Sequence, residues 1–350
     1  KRVIDSTYVV ENKLTEEFED LIRDMTGSKY AIAMANGTLA LYASLLACGI
    51  GRGDEVIVPD LTFVATANAC IMAGAKPVFC DVEWDTLGID PKKLESCLTK
   101  RTRAIMPVHL YGQSAKMEEI MSFAKANNLI VIEDAAQGVG VKYKGVHVGT
   151  FGDCGTLSFY GNKTITCGEG GIVLTDSEEI YLKCWKLKNH GRPVKGTFIH
   201  EDIGYNFAFT DIQAAIGISQ MGKLPKIIYK KNEIRDKYIR ELEDIKEISF
   251  LKIHEDSTPV HWFTSLYTDR KEELQQHLKD KSIGARNFFY PLHRQPCYIK
   301  NKKMVKMFGT KKYPVSKESY KTGMSLPSSY LLTEEDQDRV IREVRNFYGC

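Results

Sequence analysis

Short apolar runs recur along this chain, separated by longer segments in which apolar residues return every three or four positions. The runs EVIVP (55–59), KPVFCDV (76–82), RAIMPVHL (103–110), NLIVIEDA (128–135) and GIVLT (171–175) are of strand length and rich in β-branched residues. Between them, Thr38–Cys48, Met117–Asn127 and Ser177–Leu187 carry helical spacing. A strand with one wet face alternates apolar and polar positions, and these runs do not alternate, so both faces of their sheet must be covered. The pattern predicts an α/β fold on a mostly parallel sheet. Ligands of such sheets lie beyond the carboxyl ends of the strands, which directs attention to the polar residues just after each run.

Past AAIGISQMGKLPKI, near Lys223, the pattern changes to a charged helix, YKKNEIRDKYIRELEDI, and VHWFTSLYT (260–268) reads as a strand of a smaller sheet. At roughly 150 residues per domain, 350 residues suggest about two domains. We divide the chain into a large domain, 1–222, and a smaller C-terminal domain, 223–350, with the first residues free to pack on the latter. The composition, 43% apolar and 27% charged, is that of a globular protein. A net charge of +3 with both signs interspersed leaves no footprint for nucleic acid or an anionic membrane. No run approaches the ~18 apolar residues of a membrane span, and the opening KRVIDSTYVVENK has no signal-peptide core, although it starts with Lys rather than Met. Nine cysteines without a C-x-x-C pair suggest neither disulfides nor a metal site, and a cytoplasmic protein with reduced thiols is expected. Cys167, close to Lys163, reads as either a packing residue or a reactive thiol.

The candidate chemistry lies at the ends of the runs. After AIAMA, Asn36-Gly37-Thr38 opens a helix whose free N–H groups suit a phosphate, though an ordinary N-cap has the same look. Phe63 follows EVIVP, and Asp134 and Gln137 follow NLIVIE. In LSFYGNKTITCGEGGIVLT (157–175), Lys163 stands in a small polar turn ahead of a glycine-rich tail. Each has a bland alternative: a core aromatic, a capping acid, a surface lysine. Together they match the needs of pyridoxal phosphate: an amine to condense with its aldehyde, an acid for its pyridine nitrogen, an aromatic face for its ring and a helix start for its phosphate.

The strings NGTLAL, VIVPDLTFVATANA, IMPVHLYG, VIEDAAQGVGVKYKG, GTFGDCGTLSFYGNKTITCGEGGIV and GYNFAFTDIQAAIG resemble the DegT-type nucleotide-sugar aminotransferases, of the aspartate-aminotransferase fold, over nearly the whole chain. In motif the chain is most similar to the perosamine and viosamine synthases. The resemblance implies fold type I, with a mostly parallel mixed seven-stranded sheet covered by helices and a smaller α+β domain. It implies pyridoxal 5'-phosphate as cofactor, with pyridoxamine 5'-phosphate between two half-reactions. Carried over, Lys163 is the cofactor-bonding lysine and proton carrier and Asp134 the partner of the pyridine nitrogen. Gln137 lies near the ring hydroxyl, Phe63 stacks on the ring, and Gly37, Thr38 and Ser158 hold the phosphate. Asn206 reaches the phosphate of the neighbouring subunit's cofactor, which implies a homodimer with shared sites, while His190, Arg192 and His293 face the donor or the sugar.

The implied substrates are a nucleotide-linked 4-keto-6-deoxyhexose and L-glutamate, with amination at C3 as the enzymatic alternative and a non-catalytic regulatory relative as the other. A sister group that deoxygenates has histidine in place of the lysine, which Lys163 argues against. Relatives usually begin with a longer segment, often holding a glycine before the first helix, where this chain has STYVVENKLTEEFED. Trp262, Tyr290 and Tyr298 read as packing or as sugar and base contacts, and nothing in KNHGRPVKGTFIHED (188–202) marks one nucleotide over another.

Overall fold

The computed structural model describes residues 2–194, 196–309 and 312–350. Its strands are β1 (Tyr30–Met34), β2 (Glu55–Pro59), β3 (Lys76–Cys80), β4 (Thr102–Ile105), β5 (Ile130–Asp134), β6 (Lys142–Tyr143), β7 (Val146–His147), β8 (Cys154–Ser158) and β9 (Gly171–Thr175). They continue with β10 (Ser249–Phe250), β11 (Ser257–Thr258), β12 (Thr264–Tyr267), β13 (Arg286–Asn287) and β14 (Gly323–Leu326). Seven of them form one sheet in the order β1-β9-β8-β5-β4-β2-β3, in which only β9 runs against the rest. The predicted α/β class and mixed sheet are what the chain forms.

The unbroken apolar runs have a simple cause. Ile57, Val78, Ile105, Val131 and Leu157 enter one buried cluster, with Phe18 and Ile22 of helix Lys13–Thr26 and Met117 and Ile120 of helix Met117–Ala126. Their neighbours Val56, Val58, Phe79, Ala104 and Ile132 enter another, with Ala40 and Leu41 of helix Gly37–Ala47 and Cys184 of helix Glu178–Lys188. Alternate side chains thus meet helices on opposite faces, and both must be apolar. Strand β8, CGTLS, was not among the predicted runs because small and polar residues dominate it, yet all five residues are buried at the centre of the sheet.

Strands β10, β12, β14 and β13 form a separate four-stranded sheet. Leu266, Met324 and Leu326 pack there with Ile234, Tyr238 and Leu242 of helix Leu224–Leu242 and with Val340 and Val344 near the chain's end. The chain then does something its pattern did not suggest: residues 292–309 and 312–313 return to the large sheet. Lys306 exchanges backbone hydrogen bonds with Pro77 and Phe79, and Tyr298, Val305 and Tyr313 join the large-sheet core. The segment covers the free edge of β3, which would otherwise invite pairing with another chain. Val3 belongs to the large-sheet cluster of Phe18 and Ile22, so the first residues pack there. No helix among the described residues is long and apolar enough to cross a membrane.

The tip of β5 is braced from behind. Glu133, fully buried, accepts from His109 Nε2 at 2.9 Å and from the N–H groups of Gly149 (2.7 Å), Phe151 (2.6 Å) and Gly152 (2.8 Å). The Ala115 N–H donates to His109 Nδ1, which leaves the proton on Nε2 of a neutral ring. A charge so well satisfied is costly to remove, because the donors would stay buried and unpaired. Glu133→Ala is expected to lose about 3–5 kcal/mol of stability, measured by denaturant titration; a loss under ~1 kcal/mol would show that water or a shifted backbone replaces the carboxylate.

Candidate active site

The carboxyl ends of β2, β5 and β8 open into one cavity of about 780 Å³. Lys163, Asp134, Gly37, Thr38, Phe63, Gln137 and Ser158, seven of the predicted residues, line it, brought together from loops up to 126 positions apart in sequence. Asp134 is the last residue of β5 and is buried. Thr66 Oγ1 donates to one of its oxygens at 2.7 Å and the Ala136 N–H to the other at 3.2 Å. Burial raises its pKa above the usual carboxylate value, and these two donors together with the more distant charge of Lys163 only partly oppose that. Among the described residues no cation forms an ion pair with it, so the carboxylate is matched to a positive group that the chain itself does not bring.

Lys163 stands in the turn after β8, closed by a hydrogen bond from its own N–H to the Tyr160 carbonyl at 2.9 Å. Its amine lies 4.4 Å from the centre of the Trp262 ring. The bland alternative of a surface lysine does not describe it, because the residue is half-buried with its amine against that aromatic face. Burial lowers its pKa to about 8, with the charge of Asp134 opposing the shift. The neutral, nucleophilic amine is therefore far better populated near neutral pH than in an ordinary lysine.

Helix Gly37–Ala47 begins at the cavity wall. Asn36 caps it by accepting from the Leu39 N–H at 3.0 Å, which leaves the N–H groups of Gly37 and Thr38 without helical acceptors. A Cβ at Gly37 would sit 3.0 Å from Ser158 Cβ and 3.2 Å from its Oγ, so glycine is what lets the helix start and the Ser158 hydroxyl share one anion cradle. Phe63 is 55% exposed at the wall, offering a ring face to a flat ligand. The Gln137 side-chain carbonyl accepts from the Tyr111 N–H at 2.7 Å, which turns its NH₂ group free as a donor. Amine, buried acid, aromatic face and anion cradle together fit pyridoxal phosphate.

Several wall residues were not singled out from sequence. Trp262, read as packing or as a ligand contact, donates from Nε1 to the Asn162 carbonyl at 2.7 Å and so fastens the Lys163 turn. It is held close by Gly112, whose φ of +84° and whose approach to the Val260 carbonyl leave no room for a Cβ. Thr66, Asn162, Glu169, Arg286 and Phe289 complete the picture, and only Thr66 had a signal in sequence, its place three residues past Phe63. Cys167 is buried, and burial raises its thiol pKa to about 12, which makes it a packing residue. Tyr298 is buried and hydrogen-bonded to Asn68 at 2.8 Å, also as packing.

Four predicted residues lie elsewhere. His293 is buried with Nδ1 2.6 Å from Asp60 and its ring stacked on Tyr313, and within one chain it does not line the cavity. Within one chain His190, Arg192 and Asn206 do not line the cavity; His190 and Asn206 are exposed on the 189–206 loop, and Arg192 donates to the Asn189 carbonyl at 3.1 Å.

Comparison with known proteins agrees with this reading. The chain is 40% identical to the GDP-perosamine synthase of Escherichia coli O157:H7 over 99% of its own length and 93% of that protein's. Its fold superposes on S. venezuelae DesV, solved in complex with a ketimine intermediate, with a TM-score of 0.93 at 30% identity, covering 100% of this chain and 93% of that one. It superposes on NtdA of Bacillus subtilis, solved with bound cofactor PMP, with a TM-score of 0.91 at 29% identity, covering 100% and 80%. The sequence pattern of the DegT/DnrJ/EryC1/StrS aminotransferase family matches residues 1–345, and the chain belongs to that family of pyridoxal-phosphate-dependent aminotransferases.

Proposed function

We propose that the chain moves an amino group from L-glutamate to the C4 ketone of a nucleotide-linked 4-keto-6-deoxyhexose, making a 4-amino-4,6-dideoxyhexose of the perosamine or viosamine type. The carrying observation is the convergence of the Lys163 amine, poised near pKa 8, and the cation-seeking Asp134 in one cavity. The choice of sugar rests on the likeness to a GDP-perosamine synthase. Bound pyridoxal phosphate supplies an electron-accepting ring that carries the amino group between donor and sugar. Lys163 takes the proton from the donor's α-carbon in the first half of the reaction and delivers one to the sugar's C4 in the second. Asp134 holds the proton on the pyridine nitrogen. Gly37, Thr38 and Ser158 grip the phosphate, Phe63 covers the ring, and the Gln137 amide donates to the ring hydroxyl.

The test is optical. Cofactor-loaded protein is mixed with L-glutamate and then with GDP-, dTDP- and UDP-linked 4-keto-6-deoxyhexoses and, separately, with their 3-keto counterparts. The visible band is expected to disappear with glutamate and to return with a 4-keto sugar, the GDP form foremost. Return only with a 3-keto sugar would move the amination to C3, and no response to any sugar would sink the reading.

The protein is proposed to work as a homodimer with shared sites. Phe198 (90% exposed), Ile203 (85%) and Ile199 (71%), with Ile212 and Ile216, are exposed apolar side chains that flank Asn206 in sequence. A partner covering them would put Asn206, His190 and Arg192 at the other subunit's cavity. Lys163→Ala and Asn206→Ala chains, each inactive alone, are expected to recover about a quarter of wild-type activity when mixed and re-associated, since half the dimers then hold one intact site. No recovery would remove the sharing.

A further inference from the structure

The turn that carries Lys163 borders a second cavity. This chamber, about 650 Å³, shares Asn162, Lys163, Trp262 and Arg286 with the cofactor cavity and extends to the start of helix Leu224–Leu242 and to the 325–331 segment after β14. Among the described residues no aspartate or glutamate lines it, whereas Lys163, Lys223, Lys231 and Arg286 do. Among the described residues Lys223, Lys231 and Arg286 make no ion pair; Arg286 only overlies the Phe263 ring, 5.0 Å from its centre. In a chain with 48 basic and 45 acidic residues, four cations around one cavity without an acid are a local excess that the overall balance does not explain.

Lys231 is the strongest sign. It is only 7% exposed, and its ammonium donates to the carbonyls of Trp262 at 3.0 Å and Ser328 at 3.2 Å. An ammonium has three N–H donors, so one is left unspent by these bonds. Burial without a carboxylate lowers its pKa to about 8. A buried cation in this state gains from any anion that enters beside it.

We propose that this chamber is an anion site that takes a phosphate or diphosphate group against Lys223, Lys231 and Arg286. It is distinct from the cofactor's phosphate cradle, since Gly37, Thr38 and Ser158 do not line it. Two sources share the chemistry: free inorganic phosphate, and the diphosphate of the nucleotide sugar. The anion assignment stands apart from the proposed sugar substrate, and only the second source rests on it.

Cofactor-saturated protein titrated calorimetrically with inorganic phosphate and with pyrophosphate tests this. Saturable binding is expected, weakened at least about tenfold in Lys231→Met and in Lys223→Glu, and unchanged in Ser158→Ala. Should Lys231→Met fail to fold, Lys231→Arg, which keeps the charge and is expected to retain binding, and the exposed Lys223→Glu carry the comparison. Absence of binding in the wild type, or binding that Lys223→Glu leaves intact and Ser158→Ala abolishes, overturns the proposal. GDP added to phosphate-saturated protein names the source. Competition, with a raised nucleotide-sugar KM in Lys223→Glu, assigns the site to the substrate's diphosphate; undisturbed phosphate assigns it to a free anion. A protein that binds phosphate here but no nucleotide sugar would sink the proposed substrate and leave the chamber's assignment in place.

Discussion

Lys163→Ala is expected to lower turnover by at least about 10⁴-fold and to leave the protein folded. The pKa of its amine is drawn towards neutrality, and among the described residues no other lysine lines that cavity to replace it. Stability is expected to hold or rise. Below pH 8 the folded state carries a buried ammonium that the unfolded state would solvate, so removing the group relieves a cost; Trp262 keeps its hydrogen bond to Asn162. Turnover assays beside thermal melts check both halves, and a variant within tenfold of wild-type activity would refute the assignment. The same shift sets a pH profile. Capture of cofactor by the cofactor-free protein requires the neutral amine, so its rate is expected to rise as pH increases through about 8 and then level off, where an ordinary lysine would keep the rate climbing beyond pH 10.

Asp134→Asn is expected to lower turnover by about 10²–10³-fold, to loosen the cofactor, and yet to make the cofactor-free protein no less stable. A carboxyl whose folded pKa is raised binds protons more tightly folded than unfolded. Its penalty therefore grows as pH climbs from the carboxylate range upward. Asparagine removes the charge while its oxygen still accepts from the Ala136 N–H and its amide can donate to the Thr66 hydroxyl. Opposite signs in the two measurements, weaker cofactor retention with an equal or higher melting temperature, distinguish a group kept for a cationic partner from one kept for packing. A variant that lost stability without losing rate would assign Asp134 to the scaffold.

The two carboxylates at the tip of β5 show where reading along the chain stops. Asp134 stood out because a polar residue follows an apolar run, whereas Glu133, one position earlier, passed as part of the strand. Only the fold shows that the side chains divide, as alternate residues of a strand must: Asp134 into the cavity, Glu133 onto His109 and three backbone N–H groups. His293 shows the converse. Its motif placed it near the substrate, but nothing local revealed Asp60, 233 positions away, which takes its ring.

The sequence alone determined the α/β class, because runs that are apolar at every position need helices on both faces. It also offered a candidate cofactor set, part of it from polar positions next to apolar runs and at a helix start, with Ser158 on the unpredicted β8 coming only through the family resemblance. Tertiary structure alone decided three things: the aromatic face of Trp262 that receives the Lys163 amine, the return of the segment around Lys306 to the edge of β3, and the acid-free chamber beside the lysine turn. Each depends on contacts between segments some 30 to 230 positions apart, whose side chains read as ordinary packing or surface residues until the fold brings them together.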